Sequence, residues 1–436
     1  MTVSPVFELV CGAQSYDWGK LGKDGSKVSQ FAQGLPDFKY DEDKPYAEVR
    51  HGTSLWMGTH PSCPSTLLET KENLKQYLKQ HPELLGEKVV KHFGDDLPFL
   101  FKVLAIRKAL SIQAHPDKKL AKKLYDERPD IYKDPNHKPE MAVALTPFSG
   151  FCGFRRPSEI ASFLSSIPEF ASVVGDKVAE SFRSKFGDNA SPSEEDKKAG
   201  LKDLFSALMK ADEANVKTQV EKLVERLAKE KNQTEETRLV ATLNRDFPGD
   251  IGIFCTFCLN IVHLKPGEAV FLKANEPHAY LDGGVLTAQL AASGFCMATS
   301  DNVVRAGLTP KLRDVPTLTT MLTYTSSPPS EQILPPVKFR STQHTTLYDP
   351  PIEEFSVLLT VLEQGQTEKF EPIDGPSILI FTELQGDASA ELKVGQEKGS
   401  EVTRTGQVFF IGASVEAEIE ATGGKVVAYR AFVEAP

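Results

Sequence analysis

A mainly β chain carrying one helical insertion is the fold class this sequence predicts, and three observations predict it. An almost continuous apolar run at Pro98–Ile106 leads into strict alternation at Ser111–His115. A charge-rich stretch at 155–248 carries apolar residues at helical spacing. From Phe355 onward only short β-like runs separated by Gly-containing turns remain, the pattern of a β-sandwich or barrel.

The first 65 residues mix short β-like runs with polar loops, and Ser29–Tyr46, rich in Asp and Pro, reads as a loop. Lys71–Phe93 predicts two helical pieces broken near Pro82, with Leu84, Leu85, Val89, Val90 and Phe93 as the stripe. Pro98–Ile106 predicts a buried strand with Lys102 in its middle. In the next strand Ser111, Gln113 and His115 fall on one face, Ile112 and Ala114 on the other. Pro157 opens a helix with Ile160, Phe163, Leu164 and Ile167 on one side, and Pro168 stops it. Further stripes follow at Leu204 and Leu208, at Val216, Val220, Leu223, Val224 and Leu227, and at Leu239, Val240 and Leu243. The β pattern returns at Gly252, and Leu264–Lys273 reads as a Pro-Gly turn followed by a strand. Residues 310–350 look like a connector, and strands are predicted at Val357–Leu362, Ser377–Thr382, Val408–Ile411 and Val426–Phe432. The resulting domain plan is a first β domain in two parts, 1–154 and 251–330, a helical insertion at 155–250, and a second β domain at 331–436.

Length and composition fit this plan. A chain of 436 residues suits two or three domains. A net charge of −10 argues against general affinity for nucleic acid or an anionic membrane surface. A local cluster of Arg and Lys can still hold an anionic small molecule. No apolar run reaches membrane-spanning length. The N-terminal stretch lacks a basic start followed by an apolar core, and six irregularly spaced cysteines fit a reducing compartment. The expectation is a cytoplasmic protein. Cys255 and Cys258, a Cys-x-x-Cys with no second pair at zinc-ribbon spacing, read as core thiols. The lysine- and glutamate-rich 194–236 region reads as a solvated helix surface.

Four segments can carry chemistry: Gln113-Ala-His115, Asn136-His-Lys-Pro-Glu140, Asn275-Glu-Pro-His278 and Asp301-Asn-Val-Val-Arg305. A strand with ligands at i and i+2 points both the same way. Glu140 and His278 complete a mixed set of oxygen and nitrogen donors that suits Zn²⁺ or another divalent transition metal. Taken singly, a Gln-x-His on a strand is more often structural, and a His after Asn-Glu-Pro is usually a turn residue. Lys102 in an apolar strand either meets a negative partner, such as a phosphate, or snorkels to the strand edge. Trp18 reads by default as a core aromatic.

Taken together, Ser111-Ile-Gln-Ala-His-Pro-Asp117, His137-Lys-Pro-Glu-Met141, Asn275-Glu-Pro-His-Ala-Tyr280 and Ser300–Lys311 resemble the signature segments of type I phosphomannose isomerases. So do Gln14–Gly19, Leu55–Pro61 and Gly150–Arg155, in family order over roughly residues 7–356. The resemblance implies two cupin-type jelly-roll barrels with a helical domain. It implies one zinc ion per chain held by Gln113, His115, Glu140 and His278. It places Lys102, Ser111, Trp18 and Glu48 on the substrate side, and Arg305, Lys138, Asp301 and His137 at the chemistry. The implied activity is interconversion of mannose 6-phosphate and fructose 6-phosphate, feeding GDP-mannose synthesis, by a monomer that binds neither nucleic acid nor membrane. Such an isomerisation needs a base near C1 and C2, positive charge for the developing oxyanion, and a handle for phosphate. Arg305 and then Lys138 suit the charge, Asp301 suits orienting Arg305 or shuttling a proton, and the base is open between His137 and a water at the metal.

Two segments depart from the family pattern. Val49–Ser54 separates Glu48 from Leu55, and Gly284–Phe295 separates Gly283 from Cys296. Each reads as either a loop added at the surface or a misjoined coding segment. A pocket glutamate of the family has no evident counterpart, and Phe295 stands where it is expected. This leaves an alternative in which the chain is a catalytically impaired zinc cupin that binds a sugar phosphate.

Overall fold

The computed structural model describes residues 3–12, 17–35, 38–46, 55–187, 190–290 and 302–436. Glu48, the segment 49–54, residues 291–295 and Asp301 therefore lie outside the described residues. The strands that build the molecule are β1 (Val6–Val10), β2 (Phe99–Ile106), β3 (Ile112–Ala114), β4 (Glu140–Ala144), β5 (Phe148–Phe154), β6 (Leu259–Leu264), β7 (Ala269–Leu272), β8 (His278–Leu290) and β9 (Val304–Gly307), followed by the C-terminal strands.

Strand β8 is the spine of the first β domain. Its start pairs antiparallel with β3 and β5, and its second half lies between β2 and β4. The change of partners occurs at a register shift after Tyr280. Gly283 sits there at φ +116, and a Cβ on it would lie 2.6 Å from the Pro147 carbonyl oxygen, so the bend requires glycine. Alternation then sorts the side chains. One face of β2, β4 and β8 contributes Leu104, Ala142 and Val285 to a cluster with Tyr280, Cys152 and Phe148. The other contributes Val103, Val143 and Leu286 to a cluster with Ile378, Phe410 and Tyr429 of the C-terminal half. The two β domains thus pack sheet against sheet through an apolar layer.

The C-terminal half is an antiparallel double layer. Its large sheet runs Val337–Lys338, Thr345–Tyr348, Ser356–Leu362, Val426–Phe432, Ser377–Leu384, Val408–Ile411, β1 and Thr66–Leu67. The strands expected at Val408–Ile411 and Val426–Phe432 appear with those bounds. The second layer, Thr367–Phe370, Ser389–Val394, Ser400–Val402 and Ala417–Thr422, was not read from the sequence. Its burial alternates along each strand, so only half its residues are apolar and the runs look like loops. The N-terminal strand β1 belongs to this C-terminal sheet, Val6 opposite Ile411 and Leu9 opposite Val408.

Six helices fill the insertion: Pro157–Ser166, Pro168–Val174, Asp176–Phe186, Glu194–Met209, Glu213–Leu227 and Glu235–Asp246. Ser193, Asp212 and Thr234 cap the last three by accepting backbone N–H groups. The expected stripe residues Leu204, Leu208, Val220, Leu223 and Val240 are buried against Phe154, Phe254 and Phe257. Cys255 and Cys258 are buried free thiols in this core, and burial pushes the Cys258 thiol up to about 12.

Three expectations need correction. Pro168 ends one helix and opens the next, because its missing N–H and fixed φ suit a first helical position. Within the stretch read as a loop, Lys27–Ala32 is a helix capped by Ser26, burying Val28 and Phe31. Residues 284–290 are no surface loop: they are the interior half of β8, hydrogen-bonded on both sides.

Candidate metal centre

The four chemistry-bearing segments converge at the start of β8. His278 lies directly opposite Gln113 of β3, and Arg305 of β9 lies opposite Gln113 on the other side. Cross-strand partners project from the same face, so three segments more than a hundred residues apart in places share one patch. His115 ends the β3 segment, with Ile112 and Ala114 buried on the opposite face as the alternation requires. Glu140 begins β4.

The ligand atoms of His115, Glu140 and His278 lie within 4.8 Å of one another, all three residues buried. Nδ1 of His115 is 2.8 Å from the Asn302 carbonyl, and Nδ1 of His278 is 3.1 Å from the Glu276 carbonyl. A carbonyl only accepts, so each Nδ1 donates and each Nε2 keeps its lone pair. Both Nε2 atoms are buried without a hydrogen-bond partner among the described residues. His115 Nε2 is 3.4 Å from Glu140 Oε1. Two buried, unsatisfied acceptors facing a carboxylate fit a divalent cation, and carbonyls holding the far ring nitrogens are the usual support of metal-binding histidines.

Charge states agree. Burial, then the neighbouring His115, holds the His278 imidazole down to about 4, so it is neutral near pH 7. Burial works to raise the Glu140 carboxyl, but the charge of Lys138, with the His115 ring beside it, outweighs burial and holds it well below the usual range. Lys138 Nζ is 3.4 Å from Glu140 Oε1, and the Tyr280 hydroxyl donates to Oε2 at 3.3 Å.

The framework is cross-tied. Asn302, 1% exposed, donates through Nδ2 to the carbonyls of Asp134 and Asn136 while its own carbonyl holds His115. Asn275, at φ +61, accepts the Asp117 backbone N–H at Oδ1 and donates through Nδ2 to Asp117 Oδ2, and its own N–H donates to the His115 carbonyl at 2.8 Å. The two histidine-bearing segments are thereby fixed to each other.

Beyond the trio lies a cationic wall. Lys102 is buried on β2, opposite Trp56 and Thr287, with Nζ 5.1 Å from the Trp56 ring centroid. His60 packs edge-on to Trp56 at 4.4 Å and accepts the Ser62 N–H at Nδ1. Burial, then the charges of Lys102 and Lys138, holds His60 neutral, down to about 3.

Comparison with known proteins matches this geometry. A family profile described as phosphomannose isomerase type I, catalytic domain, matches residues 6–157; profiles of the helical insertion domain and the C-terminal region match 173–259 and 346–395. A mannose-6-phosphate isomerase of Cryptococcus neoformans is 47% identical over 452 residues, covering 99% of both chains. The chain belongs to the type I phosphomannose isomerase family. The mannose-6-phosphate isomerase of Saccharomyces cerevisiae is 44% identical, covering 98% of this chain and 99% of its own. A crystal structure of a mannose 6-phosphate isomerase bound with zinc and yttrium superposes with TM-score 0.80 at 29% identity, over 99% of this chain and 100% of that one. The cupin fold class of the family agrees with the two β domains seen here.

In this family member the structure brings together His115, Glu140, His278 and Lys138, with Gln113 and Arg305 in register beside them. Lys102 lines the same interior face. Ser111 lies just before β3, and Trp18 packs, half-buried, on the cluster that contains Tyr280. His137 is turned onto Glu354, Nε2 to Oε1 2.8 Å. Phe295 lies outside the described residues; within them, Thr287 is the β8 residue opposite Lys102. His60, Asn302 and Asn275 were not singled out from the sequence. Each stood inside a quoted segment, but their roles depend on hydrogen bonds across more than a hundred residues or on burial beside two lysines.

Proposed function

We propose that this chain interconverts mannose 6-phosphate and fructose 6-phosphate through an enediol(ate), with one zinc ion per chain. The observation that carries the proposal is the pair of buried Nε2 lone pairs facing an ionised Glu140, beside cationic residues, in a member of an isomerase family. Two histidines and a glutamate are donors zinc accepts, and Gln113 is in register to supply a fourth oxygen. Zinc bound there supplies a Lewis acid that polarises sugar oxygens.

The remaining work falls to the protein. The C2 proton of the aldose leaves, its electron pair forms the C1–C2 double bond, and the C1 oxygen becomes an oxyanion. Lys138, and Arg305 across from Gln113, place positive charge where that oxyanion develops. The O2 proton then passes to O1, the O2 electron pair forms the C2 carbonyl, and the C1–C2 π pair takes the proton back at C1, giving the ketose. His137 has Nε2 on Glu354, which leaves Nδ1 to take and return the proton. Asp301 is proposed to orient Arg305. Lys102, beside the Trp56 ring, supplies the cationic handle for phosphate, with Ser111, Trp18 and Glu48 proposed on the substrate side.

A role feeding GDP-mannose synthesis and protein glycosylation, in the cytoplasm, completes the proposal. No helix among the described residues is long and apolar enough to cross a membrane. The test is turnover in deuterium oxide. Mannose 6-phosphate should yield fructose 6-phosphate carrying deuterium at C1. Ketose without deuterium after prolonged incubation contradicts the enediol(ate) route, and no ketose contradicts the activity.

A further inference from the structure

We propose that Glu354, a residue of the C-terminal half, is a positioning residue of the catalytic pocket that acts through His137. This rests on the isomerase reading above. Glu354 lies between the strands Thr345–Tyr348 and Ser356–Leu362, outside every segment that suggested chemistry in the sequence. Its residue is only 3% exposed. Its Oε1 is 2.8 Å from His137 Nε2 and 3.4 Å from Lys118 Nζ.

The segment 134–140 explains why this contact matters. Asn302 grips it from one side through the carbonyls of Asp134 and Asn136. Lys138 and Glu140 meet at 3.4 Å, as alternate residues of an extended run do. His137, immediately before Lys138, is held instead by Glu354. A carboxylate only accepts, so Nε2 carries the proton and Nδ1 of the neutral ring keeps its lone pair. Glu354 therefore sets both the tautomer of His137 and the seat of the run that delivers Lys138 and Glu140 to the metal centre. Burial works to raise the Glu354 carboxyl, but the hydrogen bond from His137 and the charge of Lys118 outweigh it and hold it at about 2. A buried carboxylate supplied by one domain to a loop of the other is costly unless paired, which ties the docking of the domains to the geometry of the pocket.

The test uses the zinc-loaded full chain and the variants E354A, E354Q, H137A and E354A/H137A. In E354A, kcat should fall by roughly ten- to a hundredfold with KM for mannose 6-phosphate and zinc content little changed, the scale expected for misplaced groups. E354Q, whose carboxamide oxygen can accept the Nε2 proton, should recover most of that loss. In the H137A background E354A should have no further effect, because both remove the same link. Wild-type kinetics in E354A, or losses that multiply in the double variant, would overturn the proposal. Ring nitrogen NMR of His137 gives a readout that does not need turnover: the Nε2–H tautomer should be lost in E354A, and an unchanged ring spectrum contradicts the contact. If the wild-type chain does not isomerise the sugar phosphate, the isomerase reading fails while the ring spectrum still decides the role of Glu354.

Discussion

The metal centre is decided by single atoms. His115 and His278 are proposed as ligands because backbone carbonyls occupy their Nδ1 atoms and burial keeps His278 neutral. His278→Ala should therefore lose the bulk of its bound zinc, measured by elemental analysis of the purified protein, while the fold persists. Zinc retained at the wild-type ratio would show that the trio is not the site. Asn302→Ala leaves every proposed ligand in place but releases the carbonyls of Asp134 and Asn136. Zinc affinity should fall by about 10–100-fold, the usual cost of losing an outer support, and a competition titration against a chelator measures it. The proposed ligands could be named from the sequence because three family segments carry them. Asn302 could not, since its value lies in reaching residues more than 160 positions away.

At the scale of elements, legibility followed burial. The strand Pro98–Ile106 is buried at every residue and reads as a continuous apolar run. The long helices of the insertion read through their apolar stripes, while their caps at Ser193 and Asp212 did not. What failed were elements with little apolar content. The helix Lys118–Glu127 buries only Ala121 and Leu124, so no apolar stripe marked it in the sequence. The interior half of β8 was read as an insert because register, which composition does not encode, places it between β2 and β4. In the insertion, Arg226 grips Glu169 through two hydrogen bonds of 2.8 Å and ties Glu213–Leu227 to Pro168–Val174. Burial works to raise the Glu169 carboxyl, but the Arg226 hydrogen bond outweighs it, and the pKa is lowered. A depressed carboxylate stabilises above its unfolded pKa, and the gain is lost as pH falls through its folded one. Arg226→Ala should cost about 2 kcal/mol in urea unfolding near pH 7, less than a fully buried pair because the Arg226 side chain is 34% exposed. The gap from wild type should close in acid, and an equal gap at both pH values would contradict the assignment.

Across the whole molecule, the two β domains are interlocked rather than strung in sequence. Strand β1 completes the C-terminal sheet, and Arg404 donates to Glu8 at 2.8 Å across nearly the full chain length. Removing residues 1–10 should expose the edge at Val408–Ile411 and lower the thermal midpoint by several degrees or more, as loss of a packed strand requires. An unchanged midpoint would show that β1 is dispensable. Glu354 links the same two domains, with its carboxyl held at about 2 against an ordinary 4.5. Its contribution, on the order of 3 kcal/mol at neutral pH, is present above the unfolded value and drains away as pH falls toward the folded one. The stability difference between wild type and E354Q should therefore shrink as pH falls from about 5 to about 2, and a constant difference contradicts it. The central claim is that His115, Glu140 and His278 hold zinc for an aldose–ketose isomerisation. The most direct measurement is conversion of mannose 6-phosphate to fructose 6-phosphate by the purified chain before chelation, after it, and after zinc is restored. We expect activity that disappears with the chelator and returns with zinc. A folded, zinc-loaded chain that makes no fructose 6-phosphate, or one whose turnover is unaffected by full removal of the metal, would contradict the account.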